Sequence, residues 1–230
     1  MMMHRPVTDH NYTAGILFLK PDANHVRAWM SHTTMPFFLL PLNKQWSLLL
    51  IQDDKLEQPE TMEMLIECSK FVSLLYFFHD EDWGWGYRIY VNGFEVACFY
   101  DDYHFDHTMA VRLAQERYPE HEDIFSFLYF DQEGRQLLDA LVEEVNGNPD
   151  YLAREFEDRN VEFFKVFHLD LERIEQLKQL ISVEGLRDRR LHWRQVQQFK
   201  ELVGMAELDR LNFRQQSQAS AGRVPPIPAE

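Results

Sequence analysis

Apolar positions are densest in the stretch from Phe71 to Tyr103, and the rest of the chain is read around it. Phe71 to Phe78 is a short, nearly unbroken apolar run of the kind that suits a strand covered on both faces. A polar cluster, His79-Asp80-Glu81-Asp82, separates it from Trp83 to Val91. Asn92-Gly93 then interrupts before Phe94 to Tyr100. Asn-Gly between two β-rich runs predicts a hairpin, because both residues tolerate the positive φ of a two-residue turn. With that loop, Val91 faces Phe94, Ile89 faces Val96, Tyr87 faces Cys98 and Trp85 faces Tyr100. Side chains alternate along strands, so these eight form one apolar core face. The opposite face, with Tyr90 beside Glu95, Arg88 beside Ala97 and Gly86 beside Phe99, is expected to be half-exposed.

The same patterning predicts the other elements. Ala14 to Leu19 reads as a strand, stopped by Pro21-Asp22, which opens a helix to about Ser31. Phe37 to Leu40 and Trp46 to Ile51 read as paired strands. Pro59 to Lys70 reads as a helix with Met62, Leu65, Ile66 and Ser69 on its inner stripe. His107 to Tyr118 is a further helix, ended by Pro119. Beyond it, Ile124 to Phe130 is expected as a short strand and Gln136 to Val145 as a helix closed by Asn146-Gly147. Asn148-Pro149 is a good start for a helix to Phe156. Val161 to Leu169 fits no single period. Asp170 caps an amphipathic helix with Ile174, Leu177, Leu180 and Ile181 on one stripe, Gly185 punctuates, and Leu191 to Val203 continues helical.

This order predicts an α+β fold, a mostly antiparallel β-sheet with helices packed on one side, followed by a mainly helical C-terminal region. The expected division is an α+β sheet domain over 1–119, a helical region over 120–214 packed on it, and a flexible Pro-containing tail over 215–230.

Composition narrows the function classes. A 230-residue chain with 45% hydrophobic and 14% aromatic residues has ample material for a packed core. Its formal net charge of −15 disfavours free nucleic acid and anionic membrane as partners, and favours a basic protein or a cation. Cys68 and Cys98 lack metal or redox spacing and read as buried thiols of a reducing, cytoplasmic compartment. No apolar run is long enough to span a bilayer.

The charge is uneven. Between His79 and His107 seven acids (Asp80, Glu81, Asp82, Glu95, Asp101, Asp102, Asp106) stand against Arg88 alone. The C-terminal helices are basic, with Arg187, Arg189, Arg190 and Arg194 clustered. These two regions could attract each other within one fold or across a homo-oligomer.

Extending the hairpin ladder places Trp83 opposite Asp102 and Glu81 near His104. The open end of the hairpin therefore gathers Asp80, Glu81, Asp82, Asp101 and Asp102 around Trp83. Three readings compete: a solvated acidic loop, a docking surface for a basic partner with Trp83 as aromatic anchor, and a divalent-cation site drawing on His104, Asp106 and His107.

The familiar catalytic patterns are incomplete. Gly84-Trp85-Gly86 has Ile89 where a dinucleotide fingerprint needs its third glycine, and His121-Glu122 has Phe125 where a zinc-protease motif needs its second His. The expectation is a non-enzymatic protein-binding module, immunity-like or regulatory and of bacterial type, using the acidic, aromatic-rich surface. A metal-dependent hydrolase at the same place is the alternative.

Overall fold

The structure is a computed structural model that describes residues 12–186 and 192–221. Among the described residues, six strands form one antiparallel sheet in the order β2-β3-β1-β4-β5-β6: β1 Tyr12–Leu19, β2 Phe37–Pro41, β3 Trp46–Ile51, β4 Leu74–Asp80, β5 Gly84–Val91 and β6 Phe94–Asp102. Side chains alternate along each strand, so β4 sends Leu74 and Tyr76 into one core and Leu75 and Phe77 into the other, all buried. The unbroken apolar run is explained by cover on both faces. Phe71 lies ahead of the strand and is exposed.

Two N-terminal helices, α1 Ala23–Met30 and α2 Pro59–Cys68, close one face with Val26, Met30, Leu65 and Cys68. The other face is closed by the C-terminal region: α6 Pro149–Glu155, a 3-10 segment Val161–Phe167, α7 Leu171–Leu180, the single turn α8 Val183–Leu186, α9 His192–Val203 and α10 Phe213–Ala221. Phe199 of α9 is the centre of that packing. Its ring stacks on Tyr87 at 5.5 Å and on Phe77 at 5.7 Å, and touches Trp85 at 4.9 Å and Phe164 at 5.8 Å. Among the described residues, then, the architecture is an α+β fold with an antiparallel sheet and a helical C-terminal region.

Three helices stand beside the sheet with a core of their own: α3 Phe105–Arg117, α4 Ile124–Phe130 and α5 Gln132–Gly147. Hence α3, on the sheet side of the division expected at 119, packs with α4 and α5. The strand expected over 124–130 is helix α4. Asp123 caps it by accepting from the Ser126 N–H, and Ile124 and Leu128, four residues apart, are buried together. A seven-residue apolar run carries no period strong enough to separate the two outcomes.

The stretch 161–169, which fits neither the α nor the β period, has period three. Val161, Phe164 and Phe167 are buried at successive i+3 steps, the spacing a 3-10 helix places on one face. At the far end, the linker expected from Gln215 begins inside α10, whose Phe213 packs on Phe38 at 5.2 Å. The remainder of that tail, 222–230, lies outside the described residues.

The hairpin keeps its Asn92-Gly93 loop, with φ of +54° and +84°, but not the register expected beyond it. Tyr90 pairs with Glu95 and Ile89 with Ala97, so Val96 is an extra residue, a β-bulge. Its carbonyl oxygen accepts from Asn160 Nδ2 at 2.9 Å. From there on every β6 side chain changes face. Tyr87 now faces Phe99 and Trp85 faces Asp101. Phe99, expected half-exposed, is 1% exposed, whereas Tyr100, expected in the core, is 41% exposed. Tyr90 is also buried, under α2. This register makes a prediction. Phe99→Ala should cost about 3–5 kcal/mol in urea unfolding, against less than about 1 kcal/mol for the half-buried Cys98→Ala. Equal losses would contradict the bulge.

Candidate functional site

The open end of the hairpin carries a groove on the α1/α2 side of the sheet. Its floor begins with the alternation of residues. Tyr76 and Phe78 share a face of β4, and β5 presents Gly84 and Gly86 beside them. A β-carbon on Gly86 would lie 2.9 Å from the Phe78 ring, and one on Gly84 would lie 2.8 Å from the Tyr100 ring. The two glycines therefore let these rings approach β5 closely. Tyr76, Phe78 and Tyr100 follow one another at 5.7 and 5.6 Å between centroids.

Two walls rise from this floor. On one side stands Trp83, 60% exposed. Its backbone is tied down: its N–H donates to the Asp80 carbonyl, and its own carbonyl accepts from the Tyr103 N–H and the Tyr100 hydroxyl. On the other side is the loop from β3 to α2. The hydroxyls of Tyr12 and Tyr76 both donate to the Asp54 carbonyl, at 3.2 and 2.8 Å. The Asp53 carboxylate accepts the N–H groups of Glu57 and Gln58, each at 3.0 Å. Lys55 and Glu57 project from that loop. The groove encloses about 380 Å³, lined also by Asp80 and Arg88. A larger hollow of about 560 Å³ between α7 and α9 is lined almost wholly by charged and amide side chains.

The acidic residues divide. Asp80 lines the groove and its Oδ1 accepts from the Asp82 N–H at 3.0 Å. Glu81 lies 3.8 Å from Arg210. Asp82 is exposed, and Asp102 accepts from the His104 N–H at 2.8 Å. Asp101 does not belong to this rim. The bulge turns it to the other face, where it is 8% exposed, accepts from Trp85 Nε1 at 3.1 Å and lies 3.3 Å from His192 Nδ1. His192 in turn packs on the Tyr103 ring at 4.0 Å. Asp101 thus joins β6 to α9 inside the fold.

The residues named for a cation do not converge. His104 sits edge-on to Trp83 with Nε2 3.2 Å from the Asp82 carbonyl oxygen. Asp106 accepts from the His107 N–H, and His107 is exposed on α3. Among the described residues no group of three or more His, Cys, Asp or Glu is arranged to hold a metal ion. Of the C-terminal arginines, Arg194 lies over the Trp193 ring at 5.4 Å, and Arg187, Arg189 and Arg190 fall outside the described residues.

Of the groove lining, Trp83 and Asp80 were named from the sequence, whereas Tyr12, Lys55, Tyr76 and Phe78 were not. Gly84-Trp85-Gly86, weighed only as a nucleotide motif, held the signal. Two glycines two residues apart empty one face of a strand, and Tyr76 and Phe78 have the same spacing.

No protein-family model matches the chain, and no curated protein or solved structure matches it. Among the described residues no helix is long and apolar enough to cross a membrane.

Behind the groove, on the α9 face of β4, burial and the charge of Lys200 lower the pKa of His79 to about 4. Lys200 is itself buried and donates to the Leu208 carbonyl at 2.9 Å. The sign of the linkage follows. The unfolded chain binds a proton at His79 near pH 6.5, the folded chain only near pH 4, so unfolding takes up a proton between these values. Stability should fall by at most about 3 kcal/mol as pH drops through that window and change no further below it on this account. Urea titrations from pH 7 to 4 should show His79→Gln losing much less than wild type. Parallel losses would contradict the assignment.

Proposed function

We propose that this protein is a protein-binding module that docks a basic partner at the aromatic groove and its acidic rim. The observation that supports this most is Trp83, a large apolar side chain standing in solvent beside further aromatic rings, its backbone fixed by three hydrogen bonds. Rigid exposed aromatics of this kind are typical interface anchors, since they bury much area at little entropic cost. The neighbouring carboxylates of Asp80, Glu81, Asp82 and Asp102 then set the sign of the partner. A regulatory or immunity-like role, in which the acidic surface masks a basic protein, fits this chemistry.

The two parts of the surface act on different rate constants. Long-range charge steers encounter, while desolvated aromatic contact holds the complex. Capture from a lysate at low salt, followed by purification of the captured protein, provides the partner for kinetics. Trp83→Ala should raise the off-rate by a factor corresponding to about 2 kcal/mol or more. Asp102→Asn should slow association and flatten its salt dependence, and the inward-facing Asp101→Asn should leave association close to wild type. Capture that is indifferent to Trp83 and to salt would contradict docking at this site.

A further inference from the structure

Lys55 is the cation of this groove that sits on an aromatic face. Its Nζ lies over the Tyr12 ring, 5.4 Å from the centroid. The ring is held by its hydroxyl on the Asp54 carbonyl, and the loop carrying Lys55 is pinned by Tyr12, Tyr76 and Asp53. The backbone is thus fixed, and the exposed Lys55 side chain is the part able to swing away. The other cation in the lining, Arg88, is engaged elsewhere: its Nη1 lies 3.4 Å from Glu95 Oε2 and 3.7 Å from Met62 Sδ. The rest of the groove lining is aromatic or acidic: Tyr76, Phe78 and Trp83 with Glu57 and Asp80.

We infer that this groove receives a cationic side chain of the partner, and that Lys55 holds the same place as the chain's own stand-in. The inference rests on the docking reading of the groove and adds the chemistry of the group that enters it. An aromatic face flanked by carboxylates is a receptor for ammonium or guanidinium. An exposed cation on an aromatic ring is held weakly, so displacing Lys55 lowers the partner's affinity by only about two- to fivefold. Lys55 therefore shields the ring from solvent while remaining easy to expel.

The test uses the full chain and a capped nonapeptide carrying three arginines, with a matched peptide in which citrulline replaces each arginine. Binding is read by calorimetry for wild type, Lys55→Gln, Lys55→Arg and Arg210→Gln. The last removes a positive charge from the rim, beside Glu81, without touching the floor. The arginine peptide should bind Lys55→Gln two- to fivefold more tightly than wild type, and Lys55→Arg like wild type. The gain should exceed that of Arg210→Gln and persist at high salt, where a mere change of net charge is screened. A gain no larger than that of Arg210→Gln, or equal binding of the citrulline peptide, overturns the inference and leaves the docking reading intact. No binding of the arginine peptide to either wild type or Lys55→Gln also overturns it. The docking reading is then decided by the capture experiment, which uses no peptide.

Discussion

One extra residue in β6 determines what the two faces of this hairpin can be. Without Val96 as a bulge, Tyr100 would point into the core with Trp85 and Tyr87, and Phe99 would point away. With it, Phe99 enters the aromatic cluster, Asp101 reaches the Trp85 indole N–H, and Tyr100 joins the floor of the groove. A bulge disrupts the ladder locally and leaves its extra residue unpaired. Asn160, in the left-handed conformation between two 3-10 segments, donates to the carbonyl of that residue, Val96. The C-terminal region thus stabilises the strand geometry on which both core and groove depend.

The reverse dependence also holds. Phe199 inserts α9 among Phe77, Trp85, Tyr87 and Phe164, and it is the bulged register that brings Phe99 onto Trp85, Tyr87 and Phe156 at the edge of the same cluster. Around this apolar centre lies a polar seam. Asp101 meets Trp85 and His192, Lys200 meets the Leu208 carbonyl, and Trp46 Nε1 donates to the Val203 carbonyl at 3.1 Å. The 210–212 segment is tied to β1: Arg210 N–H donates to Thr13 Oγ1, and Asn212 Nδ2 to the Tyr12 carbonyl. Tyr12 is therefore fixed from both sides, by this segment through its backbone and by Asp54 through its hydroxyl. One ring of the groove is thus anchored through hydrogen bonds to the C-terminal region and to the loop after β3.

Much of this was legible in the residues alone. Strand positions, the Asn92-Gly93 turn, the Asn148 and Asp170 caps and the stripe on α7 follow from periodicity and local hydrogen-bonding chemistry, which act within a few residues. The bulge did not, because nothing local marks Val96. The alternative ladder also put apolar residues inward, and it is distant partners, Phe156 against Phe99 and Asn160 on the Val96 carbonyl, that distinguish the two. The same holds for α4, where a short apolar run takes its conformation from the helices that cover it. At the hairpin's open end, composition showed the density of acids but not which of them face out. Asp101 and Asp102 are neighbours in sequence and opposites in space, and that distinction depends on register. Tyr12 comes from β1 and Lys55 from the loop after β3, and both are joined to the site only by the sheet order.

Docking of a partner in the groove beside Trp83 can be read directly at that side chain. Five tryptophans give five indole N–H signals in a nitrogen-15 spectrum, and two of the side chains, Trp83 and Trp193, are largely exposed. Titration with a captured basic partner should move and broaden the Trp83 signal while the Trp193 signal on α9 stays in place. Movement of Trp193 with Trp83 unchanged would contradict the account.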